Sequence, residues 1–207
     1  MYLNQEKLLA KPKRARINLV NSITGIKPAN LIGTQSKTGQ TNLAIFSSVV
    51  HLGSSPMLLG FVTRPTGEVR RDTYENIKST GVFTINHVPV NRVENAHFTS
   101  AKFASDVSEF TACGFTEEHV EGFDAPFVKE SLLKVGLRFV DELHIRQNDT
   151  YLIIGEIEWL NAPIADQNGD LNLEKAQSVG ISGLDTYYKL EYINQFPYAK
   201  PENLPEF

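Results

Sequence analysis

Two adjacent hydroxyls, Ser47 and Ser48, close the mixed-polarity stretch Thr41-Asn42-Leu43-Ala44-Ile45-Phe46-Ser47-Ser48, and Arg71 stands immediately before Asp72-Thr73-Tyr74-Glu75-Asn76-Ile77. Hydroxyls, a guanidinium and the opening of a helix are donors that an anion needs, so the chemistry in view is capture of a phosphate on a planar cofactor. Strand alternation puts Leu43 and Ile45 on one face and Asn42, Ala44, Phe46 and Ser48 on the other. The first face reads as core, the second as a binding wall. Asp72 reads as an N-cap, Glu75 completes a capping-box pattern, and Tyr74 and Ile77 supply an inward stripe. The start of that helix then offers free backbone N–H groups.

Each of these residues also has a plainer reading. Asp72 and Thr73 serve as simple caps, and Arg71 as a solvated side chain beside Arg70. Asn42 bonds its own backbone, Phe46 fills core, and Ser47 and Ser48 end a strand.

Positioning such a site requires a scaffold of strands. Residues 17–20, 29–35, 41–48 and Met57–Thr63 have strand character, with 36–40 as a hairpin turn whose Gly39 can take positive φ. Closely spaced strands of this kind suggest a barrel or sandwich. Helix signals cover Asp72–Thr80, stopped by Gly81, and residues 91–104. Val82–His87 reads as a strand between them, and residues 134–146 and 151–161 as two long strands joined at Gln147-Asn148-Asp149-Thr150, closing the barrel. Residues 1–16 form a short helix or surface arm. The proline-bearing tail, residues 197–205, runs extended against a surface.

A chain of 207 residues, 41% hydrophobic and 21% charged, buries one substantial core, so one domain is expected over 1–207, with 1–16 as an N-terminal arm and 190–207 as a C-terminal extension. A net charge of −4 gives no footprint for nucleic acid, and the basic cluster at residues 11–16 reads as a solvated arm. No window has the apolar length of a membrane span and no signal-peptide apolar region opens the chain, so a cytoplasmic protein is expected. The lone Cys113 reads as a buried, inert thiol. The histidines show no i, i+4 pairing and no cysteine neighbour, so no metal site is expected. Gly180-Ile181-Ser182-Gly183 misses the hydrolase elbow by one residue, and no G-x-G-x-x-G run follows a strand.

In Asn42-Leu43-Ala44-Ile45-Phe46-Ser47-Ser48, Pro56-Met57-Leu58-Leu59-Gly60-Phe61, Arg71-Asp72-Thr73-Tyr74-Glu75-Asn76-Ile77 and Thr80-Gly81-Val82-Phe83-Thr84-Ile85-Asn86, the chain resembles the flavin reductase-like family of FMN-binding split barrels, flavoredoxin type included. Ser108-Glu109-Phe110, Ile154-Gly155-Glu156-Ile157 and Gly183-Leu184-Asp185-Thr186-Tyr187-Tyr188 fit the same family in the same order. The resemblance implies a mainly β, Greek-key antiparallel split barrel with peripheral helices, and a homodimer completing its sites at the subunit interface. It implies FMN phosphate on Ser47, Ser48, Arg71, Thr73 and Asn76, with the ring against Asn42, Leu43, Ala44, Ile45 and Phe46 and the Ser54-Ser55-Pro56 loop. Ala44 lets backbone approach a ring edge, Phe46 supplies an apolar wall, and the Asn42 amide both donates and accepts. Tyr187 and Tyr188 read as ordinary half-buried aromatics, or by resemblance as packing near a flavin or partner subunit.

The implied activity is an oxidoreductase passing electrons from NADH, NADPH or a protein donor through FMN to a flavin or electron carrier. No catalytic acid or base is evident. Many relatives carry Gly-Asp-His before the last strand, its histidine near the nicotinamide; the matching place here reads Asn148-Asp149-Thr150. That departure favours an alternative, a non-catalytic FMN-binding electron-transfer or carrier protein.

Overall fold

The computed structural model describes residues 2–67, 69–163 and 165–205. Met1, Glu206 and Phe207, the ends of the expected arm and extension, lie outside the described residues. The chain opens with helices α1 (Gln5–Leu9) and α2 (Lys13–Ser22), then strands β1 (Lys27–Pro28), β2 (Asn30–Gln35), β3 (Thr41–Phe46), β4 (Val50–Ser54) and β5 (Met57–Thr63). Helix α3 (Asp72–Thr80), strand β6 (Val82–His87) and helices α4 (Val93–Phe98) and α5 (Glu109–Ala112) follow. Strands β7 (Glu117–Val120), β8 (Phe123–Val128), β9 (Lys134–Ile145), β10 (Thr150–Asn161), β11 (Val179–Ser182) and β12 (Thr186–Lys189) complete the regular structure.

Seven strands form one antiparallel sheet in the order β3-β2-β6-β9-β10-β5-β4, with the smaller sheets β1-β11-β12 and β7-β8 beside it. The large sheet curls until Phe46 on β3 meets Phe61 on β5 edge to face, ring centroids 4.9 Å apart. No backbone ladder joins those two strands, so the barrel is split rather than closed. Ile32, Phe61, Phe83, Leu137 and Ile153 fill its interior without solvent exposure. Helix α3 plugs one end by adding Ile77 to this cluster, and Gly81, at φ 78°, ends the helix in the left-handed conformation that glycine takes without strain.

The two halves of the sheet differ in what covers their outer faces. Over β2 and β3, Leu31 and Leu43 pack with Ala96 of α4, Phe110 of α5 and Val179 and Ile181 of β11. Strand β8 presses close enough that a Cβ on Gly33 would lie 2.3 Å from the Pro126 carbonyl oxygen. Over β4, β5, β10 and β9, among the described residues, no element lies across the apolar side chains, and Val50, Leu52 and Leu143 are 46%, 41% and 58% exposed.

Two sequence expectations are corrected by the fold, and one strand had no sequence signal. Residues 17–20 are helical, part of α2; its asparagine and serine side chains bond back along the helix, Asn21 Nδ2 donating to the Ile17 carbonyl and Ser22 Oγ to that of Asn18. The helix expected over 91–104 is a 3-10 turn at Val90–Arg92 followed by the short α4, because its scattered alanines make no continuous apolar stripe. Strand β4 escapes the alternation rule because a bulge between His51 and Gly53 breaks its period. Among the described residues, no helix is long and apolar enough to cross a membrane.

Candidate functional site

Strand β3, the end of β5 and the start of α3 converge on one ledge. The Asn42 amide donates from Nδ2 to Thr73 Oγ1 at 3.1 Å, and both residues are buried. Ser48, just past β3, donates its hydroxyl to the Val62 carbonyl and accepts the Val62 N–H, each at 3.0 Å. Arg71 donates from Nε to the Pro65 carbonyl at 3.3 Å, which ties the entry of α3 to the segment following β5. Asn76 donates from Nδ2 to Thr34 Oγ1 at 3.1 Å and holds α3 to β2.

The start of α3 differs from the expected capping box. Arg71 is the N-cap, in extended conformation, and among the described residues no side chain caps the first turn. Asp72 lies one place inside the helix, and Arg70 Nε donates to its carboxylate at 2.6 Å. The uncapped amides and the positive end of the helix dipole therefore face the ledge.

The face carrying Asn42, Ala44 and Phe46 is not an open wall. Cross-strand pairing of Asn42 with Thr34, Ala44 with Ile32 and Phe46 with Asn30 turns these side chains to the barrel interior beneath α3. Phe46, half-buried, packs against the core, and Leu43 and Ile45 pack on the opposite side as expected. With both faces covered, β3 presents a ligand with its edge. The Leu43 N–H points away from β2 and donates to Glu109 Oε2 at 3.0 Å, so the alternate residues Thr41 and Ile45 also turn backbone groups outward.

Ser48 has a single O–H, and Val62 takes it, so this serine stitches the split rather than supplying a phosphate donor. Ser47, half-buried beside it, is the hydroxyl that remains for a ligand. Ser54 is exposed opposite Met57, at the far end of β5 from Val62, about 16 Å away at roughly 3.3 Å per strand residue. One protomer therefore does not bring Ser54 to the ledge. Arg71, Thr73, Asn76 and Asn42 gather about α3, and Ser47 follows the end of β3.

Two cavities flank this region. A polar one of about 170 Å³ is lined by Thr41, Asn42, Asp72, Asn76 and Glu109 among others. A larger cleft of about 460 Å³ lies between α4 and α5, beside Phe98 and Cys113. Burial pushes the Glu109 carboxyl above its usual range against the opposing pull of the Leu43 N–H. Burial likewise raises the Cys113 thiol, which is free and buried.

Sequence reasoning passed over Glu109 as a functional group and Arg64-Pro65 as part of the ledge; neither has a local pattern, since one acts from the far side of the fold and the other through backbone. At the β9–β10 turn, Thr150 bonds Asn148 Oδ1 at 2.8 Å. His144 reaches the same turn from β9, 2.6 Å from Asp149 Oδ1 and stacked on Tyr151 with centroids 4.6 Å apart. Tyr187 hydrogen-bonds His97 Nδ1 at 3.1 Å, while Tyr188 is 40% exposed.

The donor set fits a phosphate monoester: an uncapped nine-residue helix start, the Arg71 guanidinium, and the Thr73 and Ser47 hydroxyls.

The sequence model of the flavin reductase like domain matches residues 26–177. A protein of Aquifex aeolicus (strain VF5) is 30% identical over 175 residues, 83% of this chain and 88% of its own. A split-barrel protein of flavin-reductase type from Shewanella frigidimarina NCIMB 400 is 44% identical, with a TM-score of 0.92 over 96% of this chain and 100% of its own. Flavoredoxin of Desulfovibrio vulgaris (Miyazaki F) superposes with a TM-score of 0.73 over 84% of this chain and 92% of its own, at 20% identity a likeness of fold alone. With a split barrel, an uncapped helix start at its ledge and a family match over most of its length, the chain belongs to the flavin reductase like domain family.

Proposed function

We propose that the chain is an FMN-binding oxidoreductase passing electrons from NADH, NADPH or a protein donor to a second flavin or an electron carrier. The observation that carries this reading is the first turn of α3, which among the described residues no side chain caps and which Arg71 and Thr73 border. A phosphate monoester of about −2 charge satisfies those amides and the guanidinium together.

Bound flavin supplies hydride and single-electron chemistry. The chain's own residues bind and orient it. Arg71, Thr73 and Ser47 grip the phosphate; Asn42 and Asn76 hold α3 in place through Thr73 and Thr34. The outward backbone of β3 around Ile45 offers N–H groups to the ring edge, where negative charge develops on reduction.

The uncovered outer face of β4, β5, β10 and β9 supports a homodimer. Leu52 and Leu152 both approach Gly60 there, and Leu143 pairs with Leu152 across β9 and β10. Arg138, paired with Glu156 and Glu158, gives this apolar face a charged rim. Such pairing also gives Ser54 a route to the neighbouring ledge. One functional domain over 1–207 and cytoplasmic residence, in keeping with the lone unpaired Cys113, belong to the same reading.

The second reading is a tight FMN carrier without pyridine-nucleotide oxidation. Thr150 favours it, since its hydroxyl is spent on Asn148 and carries no proton-transfer imidazole. The visible spectrum of the purified protein tests cofactor binding; anaerobic titration with NADH and NADPH separates reductase, which bleaches, from carrier, which does not. Material that stays colourless with added FMN refutes both.

A further inference from the structure

We propose that the polar cavity beside α3 recognises the vicinal hydroxyls of the donor nucleotide's sugar and turns away a phosphate at that place, so that NADH is favoured over NADPH. This rests on the reading above. Asn42 and Asn76 line the cavity, each more than nine-tenths buried at 9% and 4% exposure. Each spends one end of its amide on a threonine, and among the described residues the other end has no protein partner. Their remaining amide groups open onto the cavity and are available to a polar ligand.

The charges around them select its class. Arg70 is held by Asp72, and Arg71 points to the Pro65 carbonyl instead. Among the described residues that line the cavity Arg70 is the cation and Asp72 pairs with it, which leaves Glu109 as the surplus charge. The Glu109 and Asp72 carboxylates accept from hydroxyl groups and repel anions, while the two amides and the Ser105 hydroxyl add neutral donors and acceptors; the Thr41 hydroxyl is already given to Glu117. A carboxylate accepting from ribose hydroxyls is the arrangement other nucleotide sites use to select against a 2′-phosphate. At about 170 Å³ the cavity is smaller than the ~300 Å³ or more that encloses a drug-sized ligand, so it takes one sugar rather than a whole nucleotide. It shares Asn42 and Asn76 with the ledge, which places that sugar beside the proposed flavin.

A vicinal diol also occurs in the ribityl chain of a flavin, and the test separates the two sources. Binding of ADP-ribose, 2′-phospho-ADP-ribose and FMN is measured by calorimetry on the full chain, wild type, Glu109→Gln and Asp72→Asn. The expected result is at least tenfold tighter binding of ADP-ribose than of its 2′-phosphate. At least one variant then loses fivefold or more for ADP-ribose and keeps its FMN affinity. Equal affinities, a preference for the phosphate, or no ADP-ribose binding at millimolar concentration overturn the assignment. Variants that lose FMN instead of ADP-ribose overturn it too, giving the cavity to the ribityl chain. A chain that takes up no FMN yet prefers ADP-ribose removes the cofactor reading and leaves the cavity's role standing.

Discussion

Ser48 and Val62 exchange two hydrogen bonds, 3.0 Å each, across the gap where β3 and β5 have no ladder. One side chain thus substitutes for a strand pair. Ser48→Ala leaves both polar groups of Val62 unmatched. It is expected to cost about 1–3 kcal/mol of stability, read as a lower thermal midpoint, while FMN affinity stays within about threefold. Loss of FMN binding at unchanged stability assigns Ser48 to the ligand instead.

Ser47 and Arg71 should behave in the opposite way. Neither anchors the barrel interior, so Ser47→Ala and Arg71→Ala are expected to leave the melting curve nearly unchanged. Charged hydrogen bonds lost to a phosphate cost about 1.5–3 kcal/mol each, so the double variant should weaken FMN by at least tenfold. An affinity within about threefold of wild type moves the phosphate site elsewhere.

How much of this was legible in the sequence follows from the range of the forces involved. Strands β2, β3, β5, β6, β9 and β10 and helix α3 announce themselves because alternation, helical stripes and Gly81 act between neighbouring residues. The pairing of Asn42 with Thr73 is not local, so the polar face of β3 read as an open wall when α3 in fact covers it. Ser48 looked like a phosphate donor because nothing near it in sequence reveals that Val62 stands opposite. Glu109 caps the β3 edge at Leu43 from 66 residues away, a distance over which no spacing rule operates.

Gly33 shows how close the β8 layer sits. A methyl there meets the Pro126 carbonyl oxygen at 2.3 Å and Thr84 Oγ1 at 2.6 Å, neither of which can swing clear. Thr84 is itself fixed by a 2.7 Å bond to that same carbonyl. Gly33→Ala is expected to destabilise by about 1–3 kcal/mol through overpacking. Gly67→Ala, where an added Cβ meets nothing within 4 Å, serves as the control in the same denaturant titration.

His87 predicts a pH dependence of stability. Burial lowers its pKa from 6.5 to about 4, and Nδ1 lies 3.0 Å from Ser178 Oγ. The imidazole is neutral in the fold, whereas the unfolded chain takes up the proton at about its ordinary value. Between those two pKa values the unfolded state binds more protons, so stability is complete above about pH 6.5 and falls as pH drops towards 4. The full loss is of order 3 kcal/mol at one pKa unit per ~1.4 kcal/mol. Thermal midpoints from pH 7.5 to 4.5 should show this slope, and His87→Gln, which keeps a partner for Ser178, should flatten it relative to wild type. Parallel pH profiles for the two proteins would mean that the proton is taken up elsewhere, on carboxylates whose native bonds break first.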